Sequence, residues 1–76
     1  MIQELDTVVL TRDIPEHDLQ AGDIGAVVHV YCKHAAYEVE FVTGEGETLA
    51  VLTLTDSDIR IMRQREILHA RELIAV

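Results

Sequence analysis

The chain predicts a mainly β fold: a small barrel of five short strands followed by a short C-terminal amphipathic helix. Three observations carry this prediction. Apolar and polar residues alternate over short runs between Leu5 and Met62, turn signals separate those runs, and helical periodicity is confined to the residues from Arg63 onward. A length of 76 residues allows one domain, read as a barrel over 1–62 with a helical tail over 63–76.

The first strand is predicted at Leu5–Thr11, with Val8 and Leu10 sharing a face. A polar loop follows from Arg12 to Asp23 and contains the only proline, Pro15. The second strand is Gly25–Tyr31, where Ala26, Val28 and Val30 alternate with Val27, His29 and Tyr31. The third is Ala36–Val42, with Tyr37, Val39 and Phe41 on one face and Glu38 and Glu40 on the other. Gly44-Glu45-Gly46 turns the chain into a fourth strand, Thr48–Thr55. The polar turn Asp56-Ser57-Asp58 then leads to a fifth, Ile59–Met62.

Directly opposed residues of an antiparallel pair point to one face, so the apolar sets of strands two and three must meet. Two registers satisfy this. Val30 faces Tyr37 with His29 facing Glu38, or Val30 faces Val39 with His29 facing Glu40. Both put His29 beside a carboxylate on the outer face. Five strands with a long first loop and tight later turns point to an SH3-like barrel, whose curved sheet hides most strand edges. An oligonucleotide-binding-type barrel would need a helix between strands three and four, where none fits.

In the tail, Ile67, Ala70 and Ile74 recur at helical spacing, flanked by Leu68 and Leu73. A helix of three turns is stable only when its apolar stripe is covered, by its own barrel or by another chain.

Charge is unevenly placed. The chain has 14 acidic and 6 basic residues, a net of −8. Residues 1–58 hold Arg12 and Lys33 against twelve carboxylates, a local −10. Residues 59–76 hold Arg60, Arg63, Arg65 and Arg71 against Glu66 and Glu72, a local +2. Such an acidic body argues against nucleic-acid binding through phosphate contacts. A hydrophobic content of 49% excludes an acidic disordered tail. No apolar run approaches the ~18–20 residues that span a bilayer. The opening MIQELDTV lacks a signal peptide's charged and apolar regions, so a cytoplasmic location is expected. A lone cysteine, Cys32, allows no intramolecular disulfide.

Catalytic and metal chemistry find little support. His29, Cys32 and His34 invite a zinc reading, but strand geometry sends His29 and Cys32 to opposite faces, and no second ligand pair exists. The carboxylate pairs Glu16/Asp18, Glu38/Glu40, Glu45/Glu47 and Asp56/Asp58 lie on a face away from the core or in loops, which suits solvation better than acid–base work. Ser57 is the only serine and has no glycine elbow. Gly22-Asp-Ile-Gly25 lacks the residues of a phosphate cradle and reads as a conformational signal at a strand entry. No enzyme and no cofactor are expected.

The segments Ala21–Tyr31 (AGDIGAVVHVY) and Ala36–Phe41 (AYEVEF) resemble a family of short bacterial proteins, common in cyanobacteria and catalogued as a domain of unknown function. The opening Leu5–Asp13 and the closing Arg65–Leu73 are similar to it too, so the resemblance covers nearly the whole chain. The glycine-plus-valine strand also resembles SH3-like KOW modules and the barrel of the nitrile hydratase β subunit. The resemblance implies a free-standing small protein, with an antitoxin or immunity role implied for members encoded beside toxin-like or nuclease-like proteins. The KOW likeness implies RNA or ribosome association, which two basic residues before position 59 do not suit.

The expected function is therefore a small acidic, non-enzymatic protein-interaction module that masks a basic partner protein, or one that pairs with its own kind. The expected contacts are His29, Tyr31, Glu38 and Glu40 on the outer sheet face, with Arg65, His69 and Arg71 on the tail. The alternative is an accessory or subunit-like domain of a larger enzyme.

Overall fold

In the computed structural model, which describes residues 1–73, alternating apolar residues build five antiparallel strands in a single sheet. These are β1 (Thr7–Leu10), β2 (Ile24–Val30), β3 (Tyr37–Val42), β4 (Thr48–Leu54) and β5 (Ile59–Ile61), in the order β4-β3-β2-β1-β5. The five strands fall within one or two residues of their sequence-predicted positions. No helix of the described residues is long and apolar enough to cross a membrane.

One face of the sheet carries the core. Val8, Leu10, Val27, Tyr37, Val39, Phe41, Leu54 and Ile59 pack there. The long polar loop contributes Ile14 and Leu19, which pair as an isolated bridge around a single 3-10 turn, Pro15–His17. Asp18 closes that turn in the left-handed region (φ 60). Proline fits the first position of such a turn because its missing N–H has no partner to lose.

Gly25 is required by contact. A Cβ built there would lie 2.7 Å from Val39 Cγ1 and 2.9 Å from Phe41 Cε1. The Val39 and Phe41 side chains of the neighbouring strand β3 occupy that space only because the atom is absent. Gly46 has φ +85 and turns β3 into β4, where Thr43 N–H donates to Glu47 O at 2.8 Å.

The β2–β3 register corrects the alternation expected for the second strand. His29 faces Glu38 and Val30 faces Tyr37, the first of the two registers allowed by the sequence. Between Val27 and His29 the register shifts, so that Val27 faces Val39 and Ala26 faces Glu40. This bulge leaves Val28 44% exposed and turns Val27, at 0%, into the core. One extra residue in a strand inverts every side chain beyond it. A strict alternation therefore assigns the wrong valine.

The C-terminal helix expected over 63–76 is not supported. Residues 66–73 form no regular structure, and among the described residues of the tail the only turn is at Gln64 and Arg65. Residues 74–76, the last turn of the expected helix, lie outside the described residues. The physical reason lies in the polar side chains. Glu66 reaches back to accept the Arg63 N–H at 2.6 Å and both terminal nitrogens of Arg60, at 2.8 and 2.7 Å. Farther on, Arg71 is drawn to Asp23. Ile67 and Leu68 remain 91% and 71% exposed, so the apolar stripe that would have stabilised a helix is covered by nothing among the described residues.

Candidate functional site

The sheet has two chemically different halves. Around β1, β5 and the tail, three carboxylates are each paired with an arginine. Arg12 Nε donates to Asp58 Oδ1 at 2.7 Å, and Arg60 grips Glu66 through two parallel bonds. Arg71 grips Asp23 in the same forked manner, with Nε at 2.9 Å from Oδ1 and Nη2 at 2.6 Å from Oδ2. Such paired N–H···O bonds are the geometry for which a guanidinium is shaped.

Asp23 is the centre of this region. It is 7% exposed, the only buried polar or charged residue among those described. It also accepts the Gln20 N–H at 2.8 Å, and His69 Nε2 lies 3.2 Å from Oδ1. Arg71 spends a further bond on the Asp18 carbonyl at 2.7 Å. Burial by itself would raise the Asp23 pKa. The Arg71 hydrogen bonds, the Gln20 N–H and the nearby charges of Arg71 and His69 outweigh it and hold the carboxyl below its ordinary value. The Arg60 fork, aided by the Arg63 N–H, holds Glu66 down at about 2. The Arg12 bond, with the Thr55 N–H, similarly lowers Asp58.

These pairs fasten the tail across the sheet. Val9 faces Ile24 on one side and Arg60 on the other, so register places it on the outer face. It is nevertheless 7% exposed and stands outside the core cluster. Arg60, opposite Val9 in register, holds Glu66, and Asp23, adjacent to Ile24, holds Arg71, so the tail is tied to the sheet on both sides of this valine. Beyond it, an open cleft of about 700 Å³ separates the tail from the β3–β4 turn, lined by Leu19, Phe41, Val42, Leu49, Leu68 and Leu73 among others.

The other half is unmatched. Residues 36–56, which make up β3, β4 and their turns, carry Glu38, Glu40, Glu45, Glu47 and Asp56 with no lysine or arginine. Hydroxyls serve there instead. Thr48 Oγ1 donates to Glu40 at 2.6 Å, Thr53 donates to Glu38, and the buried Tyr37 hydroxyl donates to Asp56 at 2.9 Å. Burial, with Asp56 adding to it, pushes the Tyr37 pKa up. A neutral donor satisfies a carboxylate's lone pairs and leaves its charge in place.

The seven residues expected to make contacts divide between these halves. His29, Glu38 and Glu40 lie on the outer face of β2 and β3, and Tyr31 follows β2. The His29 and Tyr31 rings meet edge to face, with centroids 4.8 Å apart. His29 is opposite Glu38 in register, yet the carboxylate nearest its Nδ1 is Glu4, at 3.8 Å. His69 and Arg71 belong to the Asp23 cluster, where Arg71 is largely covered. Arg65 stands exposed on the tail. Cys32, Lys33 and His34 form a short 3-10 turn in which Lys33 and His34 have positive φ. Among the described residues no three His, Cys, Asp or Glu side chains group as metal ligands.

Asp23 escaped sequence reasoning because its Gly22-Asp23 turn reads as a backbone signal. The clue was compositional: an aspartate entering an apolar strand, in a chain whose cations gather in the tail.

Fold and surface define a small, mainly β domain with a charge-matched half and a carboxylate-rich half. The chain belongs to the family described as a domain of unknown function (DUF4926), which matches residues 4–61. The match spans the sheet from just before β1 to the end of β5. No curated protein and no solved structure matched the chain.

Proposed function

We propose that the protein is a small, non-enzymatic interaction module that masks a basic partner protein, in the manner of an antitoxin or immunity protein. The observation that carries this reading is the run from 36 to 56, with five carboxylates and no lysine or arginine to neutralise them. A single-sign face raises the encounter rate with an oppositely charged surface and rejects partners of its own sign. His29 and Tyr31 border that face and supply aromatic contact area.

The strand order β4-β3-β2-β1-β5, with β1 between its two partners, supports reading the sheet as an SH3-like barrel. An exposed single thiol, Cys32, suits a reducing compartment, and we place the protein in a bacterial cytoplasm. The exposed Ile67 and Leu68 favour a second reading, an accessory domain that docks its tail on a larger enzyme.

The test is purification of the tagged protein from its source cells at about 50 mM and about 500 mM salt. A basic protein retained at low salt, released at high salt, and lost from the Glu38→Lys/Glu40→Lys variant is the expected result. Retention of an acidic or neutral enzyme at both salts, and its loss on Ile67→Asp, would establish the second reading instead.

A further inference from the structure

The two edges of the sheet differ. β5 is three residues long, carries Arg60 at its centre and is followed by the tail, whose Glu66 Arg60 holds. β4 is seven residues long, contains no charge, proline or glycine, and exposes Leu49 and Val51. Soluble proteins usually blunt such an edge with lysine, proline or a covering segment. Among the described residues no strand pairs with the far side of β4.

The phase of the ladder identifies the open groups. Tyr31 N–H donates to the Ala36 carbonyl, so Glu38, two residues on, directs its backbone towards β2, and Tyr37, Val39 and Phe41 direct theirs towards β4. Opposite those three stand Leu54, Leu52 and Ala50. Val51 and Thr53 therefore turn their N–H and C=O groups outward, where a further strand would bond.

We propose that the β4 edge receives an extended segment of the basic partner by strand addition, with basic residues flanking an uncharged, β-prone centre. This rests on the masking reading above and names the contact. Charge selects the occupant. Glu45 and Glu47 stand before β4 and Asp56 after it, so an incoming strand meets carboxylates at both ends and none between. A second copy of this chain would bring −8 against −8 and set its own acids beside these. Main-chain bonds supply affinity in strand addition, and the flanking charges supply selection.

The probe is a synthetic peptide of three Thr-Val repeats flanked by two lysines at each end, with a glutamate-flanked control. With isotope-labelled protein, the lysine peptide is expected to slow amide exchange at Val51 and Thr53 at least about tenfold, and the control is not. Val51→Pro removes an outward N–H, which an edge strand tolerates, and is expected to weaken peptide binding at least about tenfold. Where Val51→Pro fails to fold, the exchange measurement on the unaltered chain decides. Unchanged exchange at both amides overturns the proposal. Binding that perturbs Glu38 and Glu40 alone, with Val51→Pro unaffected, overturns strand addition and leaves masking intact. Equal protection by the glutamate peptide overturns the basic partner. Dimerisation through β4 without peptide overturns it in favour of a second copy.

Discussion

The half of the sheet around β1, β5 and the tail and the half formed by β3 and β4 are built from the same alternating pattern but handle charge in opposite ways. In the first, Arg12, Arg60 and Arg71 each meet a carboxylate through direct hydrogen bonds, and the pairs act as fasteners. In the second, threonine and tyrosine hydroxyls bond the carboxylates and leave the charge standing. Identical side chains thus hold the structure together in one place and present a field to solvent in another. The difference lies in whether a cation is within reach.

Four measurements probe that contrast, in falling order of effect on stability. Gly25 lies on β2, where the two halves join. Gly25→Ala places a methyl against Val39, Phe41 and the Glu40 carbonyl, and is expected to lower unfolding free energy by about 2–3 kcal/mol in urea denaturation. A loss below about 0.5 kcal/mol would mean that the halves separate freely there.

Asp23→Asn leaves Arg71 without its charge partner while keeping a hydrogen-bonding side chain. The expected cost is about 1–3 kcal/mol, with faster amide exchange along residues 66–73 and unchanged exchange in β3. Equal acceleration in both halves would show that the tail is not fastened separately.

Acid should weaken the matched half. Asp23, Asp58 and Glu66 have pKa values below their ordinary ones, so the native state binds fewer protons than the unfolded chain as pH falls through the ordinary carboxylate range. The stability these groups contribute is complete above about pH 4–5 and is lost as pH falls towards about 2. Tyr37 has the opposite sign. Its raised pKa makes its contribution complete below about pH 10 and lost above it. Denaturation midpoints measured across both ranges check the two directions. A midpoint that does not move between pH 5 and pH 2 would contradict the first.

The smallest stability effect is expected in the open half. Glu38→Lys with Glu40→Lys should change unfolding free energy by no more than about 0.5 kcal/mol while abolishing capture of the basic partner. A large destabilisation would make these carboxylates structural.

Much of the open half was legible in the sequence. Tyr37, Val39 and Phe41 alternate with Glu38 and Glu40 without interruption, and a period of two is the strongest strand signal available. Alternation and turn signals placed the five strands and narrowed the residue opposite His29 to Glu38 or Glu40, and the structure has Glu38 there. The bulge at Val28 was not legible, because Val27 and Val28 are chemically identical and only packing against Val39 decides which turns inward. The tail failed for a related reason. Ile67, Ala70 and Ile74 have helical spacing, but spacing records opportunity: Glu66 is taken by Arg60 just before it, and Arg71–Asp23 joins residues far apart in sequence whose meeting depends on the sheet. Of the site, the carboxylate face was readable as strand alternation, whereas Asp23 at its buried position was not.

The placement of β1 between β2 and β5 has a kinetic consequence. The β2–β3–β4 meander is assembled from neighbours in sequence, whereas β1 completes its ladder only when Val8 finds Ile61 near the far end of the sheet. Closing so long a loop is entropically costly until many contacts reward it, which slows folding and makes it cooperative. Truncating Val39 or Leu52 should therefore slow refolding, whereas truncating Ile59 or Ile61 should mainly hasten unfolding. The carboxylate-rich half is then the nucleus, and the arginine fasteners close last.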